Sequence, residues 1–290
     1  MKVIHIGFPK TATTYLQTMV FPRLAGSGYV DLGKEAYARL FSSLIDDDDT
    51  IFDADRTATD IWQHAGSQAN ALLSHERLTG ADYRSGFVNR TQIAHRLKRV
   101  GFDRVIITIR NQFDVLESAY KQHVRSGGVL RFRDYLSLDS ESPRYLHPRY
   151  FDYGLAYDLY ATLFGSANVL VLQYEDMAEP RFAAALTAFL GTPEASVSWA
   201  RPANESLSVE KTAVLRVLNH LTYSPHRPSS LLPRKMSTRV LSRGLSALPF
   251  GNSRRSFLDE TTRASIAGLF ADSNRRLAEA AAITLAPEYP

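Results

Sequence analysis

A lysine and three threonines fall within residues 10 to 14 of the stretch GFPKTATTYLQ, residues 7 to 17, with no acid beside them. Before them stands KVIHI, whose Val3, Ile4 and Ile6 read as a buried strand; after them Tyr15, Leu16, Met19 and Val20 recur at helical spacing. A strand that passes through a polar turn into a helix leaves backbone N–H groups without intrahelical acceptors. Those groups, the start of the helix and the Lys10 ammonium together make a site for an anion. The nucleotide-triphosphatase loop needs a Gly-Lys-Ser/Thr at its end, and here Lys10 opens the turn instead, so an ordinary ATP or GTP site is not expected. A second cation of interest is Arg110, set at the end of the apolar run RVIITIR, where burial and surface ion pairing are both awkward for it.

The elements that must position these groups follow from periodicity. Besides residues 2–6, strands are expected at 70–76 (NALLSHE), 104–110 and 168–176 (NVLVLQYED), all apolar without clean alternation, as in parallel strands covered on both faces. Between them FDVLESAYKQHV presents Phe113, Leu116, Tyr120 and Val124 on one face and meets Gly127-Gly128; PRFAAALTAFLG starts at Pro180 and stops at Gly191. A last helix follows Asp259 as N-cap, with Ile266, Leu269, Phe270 and Leu277 inward. Strand–helix alternation implies a three-layer α/β fold, a doubly wound and mostly parallel sheet with its ligands at the carboxyl ends of the strands.

The chain has 290 residues, 44% hydrophobic and 22% charged, enough for one large domain over 1–290. With no cysteine, it has no disulfide, thiolate nucleophile or cysteine metal site. No run approaches a membrane span and no signal peptide is evident, so a cytoplasmic protein is expected. The net charge of +4 suits anionic ligands. Between Lys211 and Leu258 there is no acid, while Arg227, Arg234, Lys235, Arg239, Arg243, Arg254 and Arg255 all fall there. Within it, residues 220–256 hold several prolines and little sustained periodicity, and read as a loop or lid. The run DDDD at 46–49 reads as a solvated loop, since it lacks partner ligands for a metal.

The chain resembles the sulfotransferases that use 3′-phosphoadenosine 5′-phosphosulfate (PAPS). Two separated motifs carry the likeness: PKTATTYL at 9–16, against the family's P-K-[ST]-G-T-T-x-L loop, and RNQFDVLESAY, where Arg110 ends a strand and Ser118 follows eight positions later in a helix. VLVLQYEDM at 169–177 and FADSNRRLAE at 270–279 look like later features of the family. The resemblance implies sulfonate transfer from PAPS to a hydroxyl by in-line displacement, with PAP as product and no metal. It implies that Lys10, the N–H groups of Thr11, Ala12, Thr13 and Thr14 and the threonine hydroxyls hold the phosphosulfate, and that Arg110 and Ser118 hold the 3′-phosphate. Three residues depart from the pattern. Ala12 replaces the loop glycine, so the turn must avoid positive φ or accept strain; Gln112 replaces a frequent proline; Tyr15 replaces a frequent tryptophan.

Transfer to a hydroxyl needs a group that takes its proton. Laying LLSHE against the family's second strand puts Glu76 at the position of the base, with His75 the other candidate. His123 reads as a helix-surface residue or a wall of the acceptor cleft. Arg254 and Arg255 sit where some members bring a basic loop over the 3′-phosphate; attraction of the basic segment to an anionic acceptor or a membrane surface is the other reading. A carbohydrate or glycolipid acceptor is the expectation from the likeness to bacterial members with a glutamate at this site. The aromatics of YLHPRYFDYG could stack on an acceptor or fill the core. A P-loop kinase and a non-catalytic nucleotide-binding module are the rival classes; nucleic acid is not an expected partner, since the cations are not set in a recognition motif.

Overall fold

The computed structural model describes the chain apart from residues 25–27, 31–32, 67–69, 81–88, 137, 139–145, 147, 194–206, 223–230, 232–236 and 252–254, and the side chains of 33–39. In chain order the main elements are β1 (Lys2–His5), α1 (Thr13–Tyr15), α2 (Gly33–Asp46), α3 (Ala54–Ala65), β2 (Ala71–Ser74), α4 (Arg90–Arg99) and β3 (Arg104–Ile109). Then follow α5 (Gln112–Arg125), α6 (Phe132–Leu136), α7 (Tyr153–Phe164), β4 (Val169–Gln173), α8 (Pro180–Leu190), α9 (Val209–Leu218), α10 (Thr238–Ala247) and α11 (Glu260–Ala280). The four strands form one parallel sheet in the order β2-β1-β3-β4. Because β1 is flanked by β2 on one side and β3 on the other, the crossover direction reverses at its carboxyl end, which is where a doubly wound sheet opens a crevice. The expected α/β architecture is the observed one.

Alternation along the strands sorts the core into two layers. Val3, Leu72, Ile106 and Leu172 face the segment after the first turn and α8, packing on Leu16, Val20, Phe182 and Leu186. Ile4, Leu73, Val105 and Ile107 face the other way, into the larger helical layer with Leu97, Leu116, Tyr160 and Phe270. The anticipated helix ends at Asp259 and Gly191 hold: Asp259 caps α11 by accepting from Thr262 N–H (2.8 Å), and Gly191 ends α8 at φ 62°. Asn111 adds a cap to α5 by accepting from the Asp114 N–H (3.0 Å).

Two local expectations are corrected, those for His123 and for the basic segment. The acidic run is solvated as expected, with Asp46, Asp48 and Asp49 exposed, and it also completes the shell of a buried cation: Arg96 on α4 donates to the Leu44 and Asp47 carbonyls and to Asp49 Oδ1 at 2.7 Å. An interior guanidinium without such acceptors would be very costly. His123 is not on the helix surface; it is buried against Tyr135, ring centroids 4.8 Å apart, beneath Gly128, whose missing side chain leaves room for the imidazole. The basic segment is not all loop, since α10 lies within it and packs beside α9. Of the aromatic cluster, Tyr150, Phe151 and Tyr153 are core residues.

Candidate active site

The turn after β1 sits at the reversal of the sheet and is built by close approach. Ile6 N–H and Phe8 N–H continue the ladder onto the Ile106 and Thr108 carbonyls (2.8 and 3.0 Å). A Cβ on Gly7 would come within 2.4 Å of Thr13 Oγ1 and 2.5 Å of Thr108 Oγ1, so only glycine lets the loop fold back over the strand ends. Lys10 and Ala12 then take left-handed conformations, φ 68° and 62°. Of the two outcomes open to Ala12, strain is the one adopted. Left-handed residues beside right-handed ones turn successive N–H groups inward into an anion-binding concavity. Among the described residues the amides of Lys10, Ala12, Thr13 and Thr14 have no backbone acceptor. The following helix is short and irregular: α1 gives way to π spacing over Leu16–Val20. The loop amides and Lys10, rather than a long helix dipole, are therefore the main cationic feature.

Beneath the loop runs a chain of hydrogen bonds whose direction is forced. Thr11 Oγ1 must donate to the Phe8 carbonyl (2.6 Å), so it accepts from Thr108 Oγ1 (2.8 Å). Thr108, its proton used, accepts from His5 Nε2 (3.1 Å). His5 Nδ1 is then the acceptor from Ser74 Oγ (2.7 Å), and Ser74 accepts from Gln17 Nε2 (3.0 Å). Each hydroxyl donates once, which makes His5 neutral with its proton on Nε2. Complete burial alone carries its pKa from 6.5 down to about 3. Ser74 and His5 are register partners, and Ser74, His5 and Thr108 each lie two positions past a residue of the same apolar face, Leu72, Val3 and Ile106. Thr11 is thus an anchor of the loop, its side chain fully buried.

Arg110 reaches the same turn from β3. Its guanidinium donates to the Lys10 carbonyl at 3.4 Å and to Asp114 Oδ2 at 3.1 Å, and lies over the Tyr174 ring at 4.5 Å. Its Nε and the hydroxyl of buried Thr13 have no partner. The surface ion pair that competes with a ligand role is therefore present, yet the fork is not used up. Its backbone is held from below: Tyr153 OH donates to the Arg110 carbonyl (2.6 Å), and Glu175 accepts from Asn111 N–H and Nδ2 (2.9 and 3.0 Å) and from Tyr289 OH (3.0 Å). Gln112, in the place of the frequent proline, exchanges hydrogen bonds with Asn274 of α11 (2.9 and 3.2 Å). Ser118 is half-buried on α5.

Glu76 opens a tight turn at the carboxyl end of β2 and is exposed. The turn itself is rigid: Thr79 Oγ1 donates to the Glu76 carbonyl (2.9 Å), and Arg90, buried on α4, donates to the Thr79 carbonyl (2.7 Å) with its guanidinium 5.2 Å from the Phe8 ring. Among the described residues Glu76 forms no salt bridge; Arg77 pairs with Asp46 instead (2.7 Å), and Arg84 lies outside the described residues. His75 is committed to the turn, its Nδ1 accepting from Arg77 N–H (3.0 Å). Burial, then Arg77, lower its pKa from 6.5 to about 4. Lys10 carries the electrostatic signature of the whole site. Its pKa is lowered, first by burial, then by Arg125 and, less, by Arg110, while Glu76 acts in the opposite sense. Lys10, Glu76, Arg110 and Arg125 thus share one field. Arg125, at the last turn of α5, was not anticipated, nor was His5, although a histidine inside an apolar strand two residues before the turn was a visible signal. Arg255 pairs with Glu210 at 3.3 Å, the N–H groups of nearby Phe257 and Leu258 donate to Glu117 beside Ser118, and Arg254 is outside the described residues. No cluster of three His, Asp or Glu suited to a metal ion occurs among the described residues.

No family model and no curated protein matches the sequence. The solved structures do match: a sulfotransferase from Alicyclobacillus acidocaldarius aligns over 98% of this chain and 96% of its own, with a TM-score of 0.55 and 16% identity. This chain has the sulfotransferase fold. The sulfotransferase domain from the Synechococcus PCC 7002 olefin synthase also aligns, over 86% of this chain and 95% of that one, at 14% identity and a TM-score of 0.34, too low to argue from. The turn after β1 and the end of β3 meet where Arg110 donates to the Lys10 carbonyl. No helix among the described residues is long and apolar enough to cross a membrane.

Proposed function

We propose that this chain is an enzyme that transfers a sulfonate group from PAPS to a hydroxyl acceptor. The observation that carries the reading is the meeting of the two motifs. The Arg110 fork touches the Lys10 carbonyl, beside a loop in which the amides of Lys10, Ala12, Thr13 and Thr14 have no backbone acceptor among the described residues, and Arg110 Nε and Thr13 Oγ1 are unpartnered. Buried polar atoms without partners are uncommon in folded proteins, and these two belong one to each of the two motifs. The residue set therefore suits PAPS: Lys10 with the amides of residues 12–14 for the phosphosulfate, the Thr11 N–H being engaged by the Phe8 carbonyl (3.4 Å), and Arg110 and Ser118 for the 3′-phosphate. Arg255 would have to leave Glu210 to join them.

When bound, PAPS supplies an electrophilic sulfur whose bond to the bridging phosphate oxygen breaks as the acceptor oxygen attaches. Negative charge then collects on that bridging oxygen, and Lys10, a partly buried cation in a turn fixed by Thr11 and Gly7, stabilises it more than the ground state. Glu76 takes the acceptor's proton. It is exposed at the crevice, held on a rigid turn, and within the field of Lys10. His75, lowered in basicity and occupied by its turn, is the weaker choice. A carbohydrate or glycolipid hydroxyl is the acceptor class we favour, from the likeness of the Glu76 position to bacterial members. The deciding assay follows release of 3′,5′-ADP (PAP) from PAPS across hydroxylated acceptors. Turnover that disappears in Glu76→Gln, with PAP binding retained, supports the reading. PAP binding with no turnover on any acceptor favours a nucleotide-holding module, and thermal stabilisation by ATP but not PAP would favour a kinase.

A further inference from the structure

Ten large hydrophobic side chains are exposed among the described residues, and seven of them lie between 214 and 250. They are not scattered. On α9, Val214 and Val217 face solvent at a spacing of three, and Leu221 continues the stripe four positions on, just past the helix end. An outward stripe of that kind is the reverse of the usual surface helix, whose apolar face is turned inward. Leu231, 82% exposed, is tied to the end of the stripe by its N–H, which donates to the Leu221 carbonyl (3.0 Å). On α10, Val240 projects outward between Arg239 and Arg243, both exposed. Leu248 and Phe250 extend the apolar surface beyond its end.

The two helices make an antiparallel hairpin. Thr222 Oγ1 and Thr238 Oγ1 meet at 3.1 Å near one end, and Lys211 Nζ donates to the Ser246 carbonyl at 3.1 Å near the other. Both helices rest on α5, where Asn219 Nδ2 donates to the Val124 and Gly128 carbonyls (2.7 and 2.8 Å). The hairpin joins exposed aliphatic side chains to arginines in a stretch without a single acid between Lys211 and Leu258. Clustered exposed apolar area marks an interaction site. Among the described residues Arg239 and Arg243 form no salt bridge, unlike Arg255, and exposed cations of that kind select an anionic partner. A surface that is apolar and cationic together matches the boundary of an anionic lipid bilayer, where aliphatic side chains enter the acyl region and guanidinium groups stay with the headgroups.

We propose that the α9–α10 hairpin is a membrane-docking surface that seats the protein on anionic lipid. The inference stands apart from the sulfotransferase reading, since lipid binding is measured without nucleotide or acceptor. Combined with that reading, it would bring the Arg125 end of α5, on which the hairpin rests, close to lipid-borne acceptors.

The test is co-sedimentation of the full chain with phosphatidylcholine vesicles, with or without about 30 mol% phosphatidylglycerol, at low and high salt. Binding to the anionic vesicles alone, weakened by salt, is expected. Replacing both arginines (Arg239→Gln with Arg243→Gln) should lower the affinity about 30-fold, at roughly fivefold per cation. Val214→Ser with Val217→Ser should lower it as well, with unchanged melting temperature because both side chains are exposed. No binding to anionic vesicles, or equal binding to both kinds, overturns the proposal. So does a concentration-dependent dimer that the valine substitutions dissolve, which would make the stripe a contact between two copies. Unaltered binding by both double variants also overturns it.

Discussion

His5 offers the sharpest test of how the loop is held, because its protonation state was deduced from hydrogen-bond direction alone. Its pKa is about 3 in the folded chain against 6.5 ordinarily, through burial. Between those values the unfolded chain binds a proton that the folded chain excludes. Stability is therefore fully present above 6.5 and falls as the pH drops toward 3. Each unit of pH in that window removes about 1.4 kcal/mol through this one residue, or about 2.7 kcal/mol by roughly pH 4.5. His5→Gln preserves a donor and an acceptor across Ser74 and Thr108 but cannot titrate. Measured by urea unfolding from about pH 7.5 to about pH 4.5, the stability of the native chain should fall relative to His5→Gln by that amount. His5→Leu instead strips one partner from each of Ser74 and Thr108, at about 1 kcal/mol each since each keeps another, for a loss near 2 kcal/mol at neutral pH. It should also weaken PAP binding, because Thr11 loses the support of its anchor. A difference between native chain and His5→Gln that stays flat across the acid range would refute both the buried neutral imidazole and the directed chain.

Other outcomes follow from the same geometry. Lys10→Ala and Arg110→Ala should each weaken PAP binding about 10- to 150-fold by calorimetry, the range for a charge-assisted hydrogen bond; unchanged affinity would remove the residue from the site. Glu76→Gln should keep PAP affinity and reduce turnover about 10²- to 10⁴-fold; full activity would exclude it as the base. Ala12→Gly relieves a left-handed alanine costing about 1–2 kcal/mol and adds about 0.5–1 kcal/mol of glycine entropy, for a net gain between about 0 and about 1.5 kcal/mol. A melting temperature unchanged or raised by up to ~4 °C is expected, and a clear fall would deny the strain. An anionic ligand should restore the lowered basicity of Lys10, so in the alkaline range PAP binding should take up protons and weaken as pH rises toward the ordinary lysine value. Lys10→Arg should abolish that slope, as a guanidinium does not titrate there.

The readable part of this protein was local. Four apolar runs, a polar turn behind the first, the helix ends at Asp259 and Gly191, and an arginine at a strand end are all properties of short windows. Parallel pairing and the doubly wound layout followed because strands buried on both faces have to alternate with helices. Local pattern did not extend to α10 in a segment rich in prolines and arginines, or to the role of the acidic run, because a buried Arg96 some fifty positions away supplies the reason for it.

The amino-acid order by itself determined that residues 7–14 would turn with unsatisfied amides beside a cation, and that Arg110 would end an interior strand. Only the tertiary structure decided that these two ends meet at 3.4 Å, that His5 props the turn through Ser74 and Thr108, and that Arg125 enters the field of Lys10. The physical reason is sequence separation. Residues a hundred positions apart become neighbours through sheet order and register, and burial then sets the charge state of what lies between them.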